Sequence, residues 1–225
     1  MRPEWRDRFL ELKQNEAPYF SRFAGLVAGV DEAGRGPLAG PVVAAAVILP
    51  PDFEVDHGLD KVDDSKRLSG AQRERLFAKI SAKAVSFSWV AVSERIVDEA
   101  GILNATLAGM REAVETLSVR PSFVLVDGRE IPSLGIAQSA IPRADGTFLS
   151  VACASVVAKH ARDMLMADAH ERFPQYGFDS HKGYGTREHI DALLRHGPCS
   201  LHRLSFRPVR EVEFVRDARR GGRVR

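Results

Sequence analysis

The fold of this chain is decided by the stretch Val30-Asp31-Glu32-Ala33-Gly34-Arg35-Gly36-Pro37-Leu38-Ala39-Gly40-Pro41-Val42. An apolar run over residues 25–30 leads directly into two adjacent carboxylates and a Gly-Arg-Gly loop, and a second apolar run over 42–49 follows. We expect both runs to be strands. A strand that ends in carboxylates offers hard oxygen ligands for a divalent cation, and glycines let backbone groups approach a polyanion closely. An ordinary acidic turn is the alternative, because Asp and Gly are common turn residues.

The composition is that of a globular protein with a sizeable core. The chain has 225 residues, 44% of them hydrophobic, which predicts a single domain over 1–225. Its charged N-terminus argues against a signal peptide, and no apolar run approaches a membrane-spanning length, so we expect a cytoplasmic protein with no membrane partner. A formal net charge of +2 neither requires nor excludes nucleic acid, and two cysteines do not indicate a disulfide framework.

Hydrophobic periodicity predicts a mixed sheet covered by helices, an α/β architecture. Further strands are expected at 85–92, 123–126 and 136–141. Helices are expected at 3–14, 71–83, 102–117, 148–173 and 187–196. The C-terminal segment over 174–210 is expected to be helical and to bind substrate, and the basic tail over 217–225 to be frayed.

A second strand also ends in a carboxylate, Asp127, which is followed by a glycine. Adjacent residues of a strand point to opposite faces, so Asp31 and Glu32 reach one site only if the chain bends there. Ala33-Gly34 makes such a bend plausible, and Asp127 meets the pair if the two strands are neighbours. A turn or capping role is the alternative for Asp127, since Asp-Gly is a common turn.

A fourth carboxylate is expected from the long helix. Ser155, Lys159 and Asp163 are spaced i, i+4, i+8 and therefore share one helix face. Three or four carboxylates without a cluster of His or Cys favour Mg²⁺ or Mn²⁺ over Zn²⁺ and suit two-metal phosphoryl transfer. For Asp163 the alternative is a surface salt bridge with Arg162 or Lys159.

Basic and aromatic residues recur beside these loops. Lys66 lies in a polar segment before a helix, where it is placed to hold a phosphate, while Ser69 is placed to cap that helix. Tyr184 lies between two glycines in a basic loop and suits stacking on a sugar or base, although a tyrosine packed under the loop is the alternative. For the other basic residues, among them Arg162 and Arg203, solvated surface charge is the alternative.

Taken together, the motifs resemble ribonuclease HII, the type 2 ribonuclease H family, over about residues 26–206. The resemblance rests on these pieces, in order: 29–42, Asp64-Ser65-Lys66, Val126-Asp127-Gly128, 154–163, Tyr176-Gly177-Phe178, His181-Lys182-Gly183-Tyr184-Gly185-Thr186 and His202-Arg203-Leu204-Ser205-Phe206. It implies a ribonuclease H-like fold and metal-dependent endonucleolytic cleavage of RNA in an RNA–DNA hybrid. It also implies incision at a single ribonucleotide embedded in duplex DNA, giving 3′-hydroxyl and 5′-phosphate ends, with two Mn²⁺ or Mg²⁺ ions.

Carried over position by position, the resemblance assigns roles to residues of this chain. The metal-binding, catalytic carboxylates are Asp31, Glu32, Asp127 and Asp163. Backbone groups of Gly34, Arg35 and Gly36 contact the 2′-hydroxyl at the RNA–DNA junction, and Tyr184 stacks beneath the deoxyribose that follows. Lys66, Lys159 and Lys182 match basic positions near the phosphate backbone, and the Ser155 hydroxyl shares the face of Lys159.

Some alternatives stay open. Asp145 also matches an acidic position of the family; we favour Asp163 as the fourth carboxylate, since Asp145-Gly146 is typical of a turn. A type 3 ribonuclease H is one alternative function, but it needs an extra N-terminal domain, and about 25 residues precede the first motif. A non-catalytic hybrid-binding protein is the alternative from another class, and it is expected to lack one carboxylate. We expect a monomer.

Overall fold

The computed structural model describes residues 3–23, 26–51 and 68–212. Residues 207–212 are helical, and short 3-10 turns lie at Ala144–Gly146 and Pro174–Tyr176. The other elements, in chain order, are α1 (Pro3–Arg22), β1 (Val27–Ala33), β2 (Val42–Ile48), α2 (Gly70–Lys83), β3 (Ser86–Val92), α3 (Glu94–Ala100), α4 (Ile102–Glu115), β4 (Phe123–Asp127), β5 (Gln138–Ile141), α5 (Leu149–Arg172), α6 (Phe178–His181) and α7 (Arg187–His196).

The strands form one five-stranded mixed sheet in the order β3-β2-β1-β4-β5. β1 is antiparallel to β2 and parallel to β4, and β4 is parallel to β5. The predicted α/β architecture with a mixed sheet and a helical C-terminal region is confirmed. All five predicted strands are present, because each combines a short apolar run with flanking turn residues.

The residues group into two compact units. Of the described residues, the first unit contains those up to Ala33 and those within Val43–Ala91 and Thr106–Ala161. The second contains Gly34–Val42, Val92–Ala105 and the residues from Arg162 onward. The assignment of the whole chain to a single catalytic domain stays a prediction.

In the first unit both faces of the sheet are buried. Ala28 and Val30 of β1 point to one face, where Met110 and Val114 of α4 pack against them. Val27 points to the other face, into a cluster of aromatic residues from the end of α1 and the start of α5. A strand covered on both sides is expected to be apolar at successive positions, which is why β2, β1 as far as Val30 and β4 as far as Val126 are continuous apolar runs.

Two helices differ from the sequence prediction. The helix expected over 3–14 runs to Arg22, since Tyr19 and Phe23 pack on Phe123, with ring centroids 5.4 and 4.2 Å apart. The sequence analysis also missed α3, which is too short to show helical periodicity and is capped by the Ser93 side chain. The predicted cap at Ser69 is confirmed as a reciprocal capping box with Gln72.

The second unit is built on two smaller apolar clusters. One packs Ala39 and Met166 with Tyr176 and Phe178. The other packs Leu38 with Leu193 of α7 and with the helical residues 207–212. The loop over 34–41 therefore contributes its own side chains to the core of this unit. Among the described helices, none is long and apolar enough to cross a membrane.

Candidate active site

The first unit gathers three of the predicted carboxylates. Oxygens of Asp31, Glu32 and Asp127 all lie within 4.8 Å of one another. The parallel register pairs Val30 with Val126, so Asp31 and Asp127 follow at the same end of neighbouring strands. Within the part of the chain that the structure describes, this is the one group of three or more residues suited to hold a metal ion.

The prediction that the chain bends at Asp31-Glu32 is wrong. β1 stays paired with β2 through Ala33, opposite Val43, whereas its pairing with β4 extends only as far as Val30. Beyond Val30 the strand has a neighbour on one side only, and the acidic side chains meet there while the strand itself continues.

Burial and crowding act together on Asp31. Its side chain is 4% exposed, and desolvation raises its pKa well above the usual range, followed by repulsion from Glu32 and Asp127. The Glu32 N–H donates to Asp31 Oδ1 at 2.7 Å and opposes that rise, whereas Asp145 adds to it. A cluster of acids crowded in this way is electrostatically unfavourable by itself.

The same cluster fits a hard divalent cation. Its potential ligand atoms are carboxylate oxygens, the donors that Mg²⁺ and Mn²⁺ prefer, and a cation offsets the repulsion that raises the pKa of Asp31. Asp127 combines this position with a turn role, because its Oδ1 accepts the Ala144 N–H at 2.7 Å. The two alternatives for Asp127 are thus compatible.

Asp145 lies in the 3-10 turn that Asp127 holds. Its Oδ1 accepts the N–H of Gly146 at 2.9 Å, as expected of an Asp-Gly turn. Its charge nevertheless contributes to the raised pKa of Asp31. Asp163 belongs to the second unit, where its charge acts on the buried Arg162. The choice between Asp145 and Asp163 as the fourth carboxylate therefore stays a prediction.

In the second unit the Gly-Arg-Gly loop is held by two buried arginines. Arg203 donates five hydrogen bonds to backbone carbonyls at 34, 35, 37 and 40, at 2.7–3.0 Å. Arg162 donates to the carbonyls of Pro41 and Ala39 at 3.0 and 3.2 Å, and to that of Lys182 at 3.0 Å. Both side chains are fully buried, so surface charge, the alternative for these two basic residues, is wrong.

Glycine is required at the start of this loop. Gly34 has φ +95°, and a Cβ there would lie 2.1 Å from Arg162 Nε. Gly36 instead faces Tyr184, whose Cε1 lies 3.8 Å from the position of an added Cβ, an ordinary contact distance.

Tyr184 is exposed, as the stacking role requires. Its side chain is 45% exposed, and the guanidinium carbon of Arg162 lies 5.9 Å from its ring centroid. The alternative of a tyrosine packed under the loop is wrong. Lys182, in the same segment, has φ +51° and ends α6 in a left-handed conformation.

Three buried histidines support the Tyr184 segment, a role that was not predicted from the sequence. His202 Nδ1 accepts the Cys199 N–H at 2.9 Å, so its Nε2–H donates to His189 Nε2 at 3.0 Å. His189 Nδ1–H in turn donates to the Tyr184 carbonyl at 2.9 Å. His181 stacks on His189 with ring centroids 4.6 Å apart. The available signal was His189 itself, four residues before the buried Leu193 on the apolar side of α7.

The remaining predicted residues are distributed as follows. Ser155 and Lys159 lie on α5 in the first unit, where Ser155 is buried and Lys159 half-buried. Lys66 and the tail over 217–225 lie outside the described residues. The structure therefore brings together Asp31, Glu32 and Asp127 in one unit, and the Gly-Arg-Gly loop and Tyr184 in the other.

Sequence comparison with known proteins matches most of this chain to one family. The sequence model of ribonuclease HII matches residues 28–209, a span that contains every predicted site residue. The chain belongs to the ribonuclease HII family. A ribonuclease HII from Burkholderia mallei (strain SAVP1) is 51% identical over 187 residues, covering 83% of this chain and 86% of that protein. One from Burkholderia thailandensis is 50% identical over the same length.

Solved structures agree with this assignment. The ribonuclease H2 of Pyrococcus horikoshii OT3 superposes with a TM-score of 0.71 at 25% identity, covering 84% of this chain and 97% of that one. Ribonuclease HII of Archaeoglobus fulgidus, solved in a complex with PCNA, gives 0.68 at 26% identity, covering 83% and 96%. A ribonuclease HIII crystallised with Mn²⁺ gives 0.62 at 19% identity and shows the shared fold alone.

Family membership makes this chain an endoribonuclease of the ribonuclease H class, which acts on RNA–DNA hybrids and depends on divalent metal. The alternative of a non-catalytic hybrid-binding protein is therefore wrong. The carboxylate cluster in the first unit is the feature of the structure that fits the metal dependence.

Proposed function

We propose that this ribonuclease HII incises duplex DNA at a single embedded ribonucleotide, in addition to cleaving the RNA strand of hybrids. The products are 3′-hydroxyl and 5′-phosphate ends. The observation that carries the proposal is the convergence of Asp31, Glu32 and Asp127 within 4.8 Å in a chain of this family. The exposed Tyr184 beside Gly36 supports the junction preference, because a ring and backbone groups read sugars rather than base edges.

Four carboxylates hold two divalent ions, Mn²⁺ or Mg²⁺, in this proposal. Asp31, Glu32 and Asp127 supply the first three, and Asp163 the fourth, on the strength of its motif. The chemistry that such ions supply when bound is activation of a water and stabilisation of the departing 3′-oxygen. Asp31 is held by the Glu32 N–H and Asp127 by the Ala144 N–H, so these two side chains are preorganised by the backbone.

The substrate groups are assigned to residues of both units. Backbone groups of Gly34, Arg35 and Gly36 contact the 2′-hydroxyl, and Tyr184 stacks on the next deoxyribose. The phosphate backbone is contacted by Lys66, Lys159 and Lys182, with the Ser155 hydroxyl beside Lys159. We further propose that the segment over 174–210 binds the duplex, and that the enzyme is a cytoplasmic monomer with no membrane partner.

The test compares three substrates of one sequence: duplex DNA with one ribonucleotide, an RNA–DNA hybrid, and all-DNA duplex. With Mn²⁺ or Mg²⁺ we expect incision of the first two and none of the third, and no incision with EDTA. Cleavage of the hybrid alone would contradict the single-ribonucleotide proposal and favour an activity of type 3 ribonuclease H.

Tyr184→Ala tests the junction role. We expect kcat/KM for the single-ribonucleotide duplex to fall more than that for a long hybrid, since base- or sugar-stacking is worth about 1–3 kcal/mol. Tyr184→Phe, which keeps the ring, should retain most of the preference. Ile96→Ala, at a similarly exposed position on α3, is the surface control. Equal losses on both substrates would show that Tyr184 does not set the preference for a ribonucleotide junction.

The fourth carboxylate is decided by two matched variants. We expect Asp163→Asn to reduce cleavage strongly and Asp145→Asn to reduce it less, because the Asp145 carboxylate already accepts the Gly146 N–H within its turn. The rate of each variant at several Mn²⁺ concentrations is the measurement. A larger loss in Asp145→Asn would transfer the role to Asp145.

A further inference from the structure

We propose that Arg203 is the positioning residue of the Gly-Arg-Gly loop, and that it sets the preference for a ribonucleotide junction by fixing the direction of the loop's backbone groups. The inference rests on the proposed function of that loop. Arg203 itself touches no substrate in this proposal, because its side chain is fully buried.

The first observation is the number of loop carbonyls that converge on one guanidinium. Nη2 donates to Gly34 and Gly40, both at 2.7 Å, and Nη1 donates to Arg35 and Pro37 at 3.0 and 2.9 Å. Nε donates to Gly40 as well, at 3.0 Å. All the N–H donors of the Arg203 guanidinium face one loop, whereas a buried arginine paired with a carboxylate would donate two of its hydrogen bonds to that carboxylate.

The second observation follows from peptide geometry. In a planar trans peptide the N–H points opposite to the C=O. Because the carbonyls of Gly34 and Arg35 point at Arg203, the N–H groups of Arg35 and Gly36 are directed away from it. The guanidinium therefore determines which way two successive backbone donors of the Gly-Arg-Gly loop face, and successive N–H groups of this kind form a binding concavity for oxygen ligands.

The third observation is that backbone hydrogen bonds join the loop both to Arg203 and to the segment that carries Tyr184. The Arg203 N–H donates to the Leu38 carbonyl at 2.9 Å, and the Leu38 N–H donates to the Gly183 carbonyl at 2.8 Å. Arg162 joins the same loop to Lys182. The segment that carries Tyr184 and the Gly-Arg-Gly loop are thus held in register with each other through Arg203 and Arg162.

A positive charge at position 203 does not by itself replace the planar guanidinium. Burial, and then the charge of Arg162, lower the pKa of Arg203 to about 10, so the group is protonated at neutral pH. A lysine would keep the charge but offers three donors on a single atom, which cannot span carbonyls on both sides of a planar fork. Arg203→Lys therefore separates positioning from charge.

The experiment measures selectivity and loop order in Arg203→Lys, with Arg95→Lys, at an exposed position on α3, as the matched control. We expect the ratio of kcat/KM for the single-ribonucleotide duplex to that for a long hybrid to fall about tenfold, a loss typical of misplaced binding groups. Hydrogen exchange of the amides over 34–41 should become about tenfold faster, while that of β4 stays slow. The control should change neither.

Equal losses on both substrates, or a loop that exchanges as slowly as in the wild type, would overturn the proposal. If Arg203→Lys does not fold, NMR of the wild type without metal decides instead. The Arg203 Nε–H and the loop amides should shift with the single-ribonucleotide duplex and much less with all-DNA duplex; identical shifts would overturn the proposal. A wild type that does not incise at single ribonucleotides would refute the proposed function, whereas loop exchange in Arg203→Lys would still decide whether Arg203 holds the loop.

Discussion

The Asp31 carboxylate destabilises the metal-free protein and is also needed for catalysis. Burial raises the pKa of its carboxylate, and the charges of Glu32 and Asp127 raise it further. Removing its charge is therefore expected to stabilise the metal-free protein even though the same oxygen is needed for catalysis. Strain of this kind is common at active sites, because groups arranged for a ligand repel one another without it.

Asp31→Asn should abolish cleavage, by more than about a hundredfold, beyond the loss typical of residues that merely support a metal ligand. In EDTA the variant should melt about 2–4 °C above the wild type, the shift that about 1 kcal/mol produces in a chain of this size. Mn²⁺ should raise the Tm of the wild type and much less that of the variant. Asp168→Asn, an exposed acid on α5, is the control; an equal Mn²⁺ shift in Asp31→Asn would contradict the assignment.

The histidines beneath the Tyr184 segment make the second unit sensitive to acid. Burial, the larger cause for each, lowers the pKa of His189 and that of His202 to about 4, from an ordinary value near 6.5. Between these two values the unfolded chain binds more protons than the folded one. The stability contributed by the neutral pair is therefore present above about pH 6.5 and is lost as the pH falls toward 4.

The contribution of this pair to the free energy of unfolding should accordingly fall between pH 6.5 and 4, by roughly 3 kcal/mol for each histidine at most. His202→Gln should flatten this dependence, since one titrating ring is removed and His189 loses its partner. His196→Gln, at the exposed end of α7, is the control and should keep the wild-type slope. Urea unfolding at half-unit pH steps is the measurement. Equal pH slopes for the wild type and His202→Gln would show that burial does not lower the pKa of the His202 ring.

At the scale of elements, α5 depends on how closely its first turn approaches β1. A Cβ on Gly29 would lie 2.2 Å from Ser150 C and 2.2 Å from Val151 N, both backbone atoms that cannot rotate away. The sequence shows this glycine only as one apolar-run residue among others. The close packing of a helix terminus on a strand is a tertiary contact, which cannot be predicted from local periodicity.

Gly29→Ala should destabilise the protein by about 1–3 kcal/mol or more, the usual cost of overpacking a core. Gly70→Ala is the matched control: no atom lies within 4 Å of its added Cβ, and alanine favours the helix. Urea midpoints of the two variants give the comparison. A neutral Gly29→Ala would mean that α5 moves away from β1 at little cost.

Glu16 docks α1 on the same helix start. Its Oε2 accepts the Ser150 N–H at 2.9 Å, and its burial raises its pKa to about 7. Because the folded-state pKa is above the unfolded value of 4.5, the stability that the protonated group contributes is present below pH 4.5 and is lost as the pH rises through 7.

Glu16→Gln, which stays neutral, should therefore gain on the wild type as the pH rises. We expect similar stability at pH 4.5 and an advantage of roughly 3 kcal/mol for the variant at pH 8.5. Glu11→Gln, on an exposed part of α1, is a suitable control once its pairing with Arg8 is allowed for. Thermal melts across this pH range test the direction of the stability difference. A wild type with a higher Tm than Glu16→Gln at pH 8.5 would contradict the prediction.

For the whole molecule, sequence was sufficient wherever a function rests on a local pattern. The strands around Asp31 and Asp127 end in carboxylates, and the register of β1 with β4 then places the acids together. The role of Arg203 was not predictable, because a buried arginine and a surface arginine have the same local sequence signature. Its partners are carbonyls distant in the chain, such as that of Gly34, and backbone carbonyls leave no trace in a residue pattern.

The electrostatics of the whole chain depend on its last residues. Truncation after Asp217 removes Arg219, Arg220, Arg223 and Arg225, four positive charges, and turns the formal net charge from +2 to −2. If these arginines contact the duplex, each neutralised phosphate contributes about 0.9 to the slope of log K against log salt. The truncated protein should then bind all duplexes more weakly, with a flatter slope. Its preference for a ribonucleotide junction should be unchanged, because contacts to the phosphate backbone of the duplex carry no information about the sugar at one position.

Binding is measured at several salt concentrations in EDTA, which prevents cleavage, with a variant carrying four glutamines at these positions as the length-matched control. An unchanged slope in both variants would show that the tail does not touch the duplex.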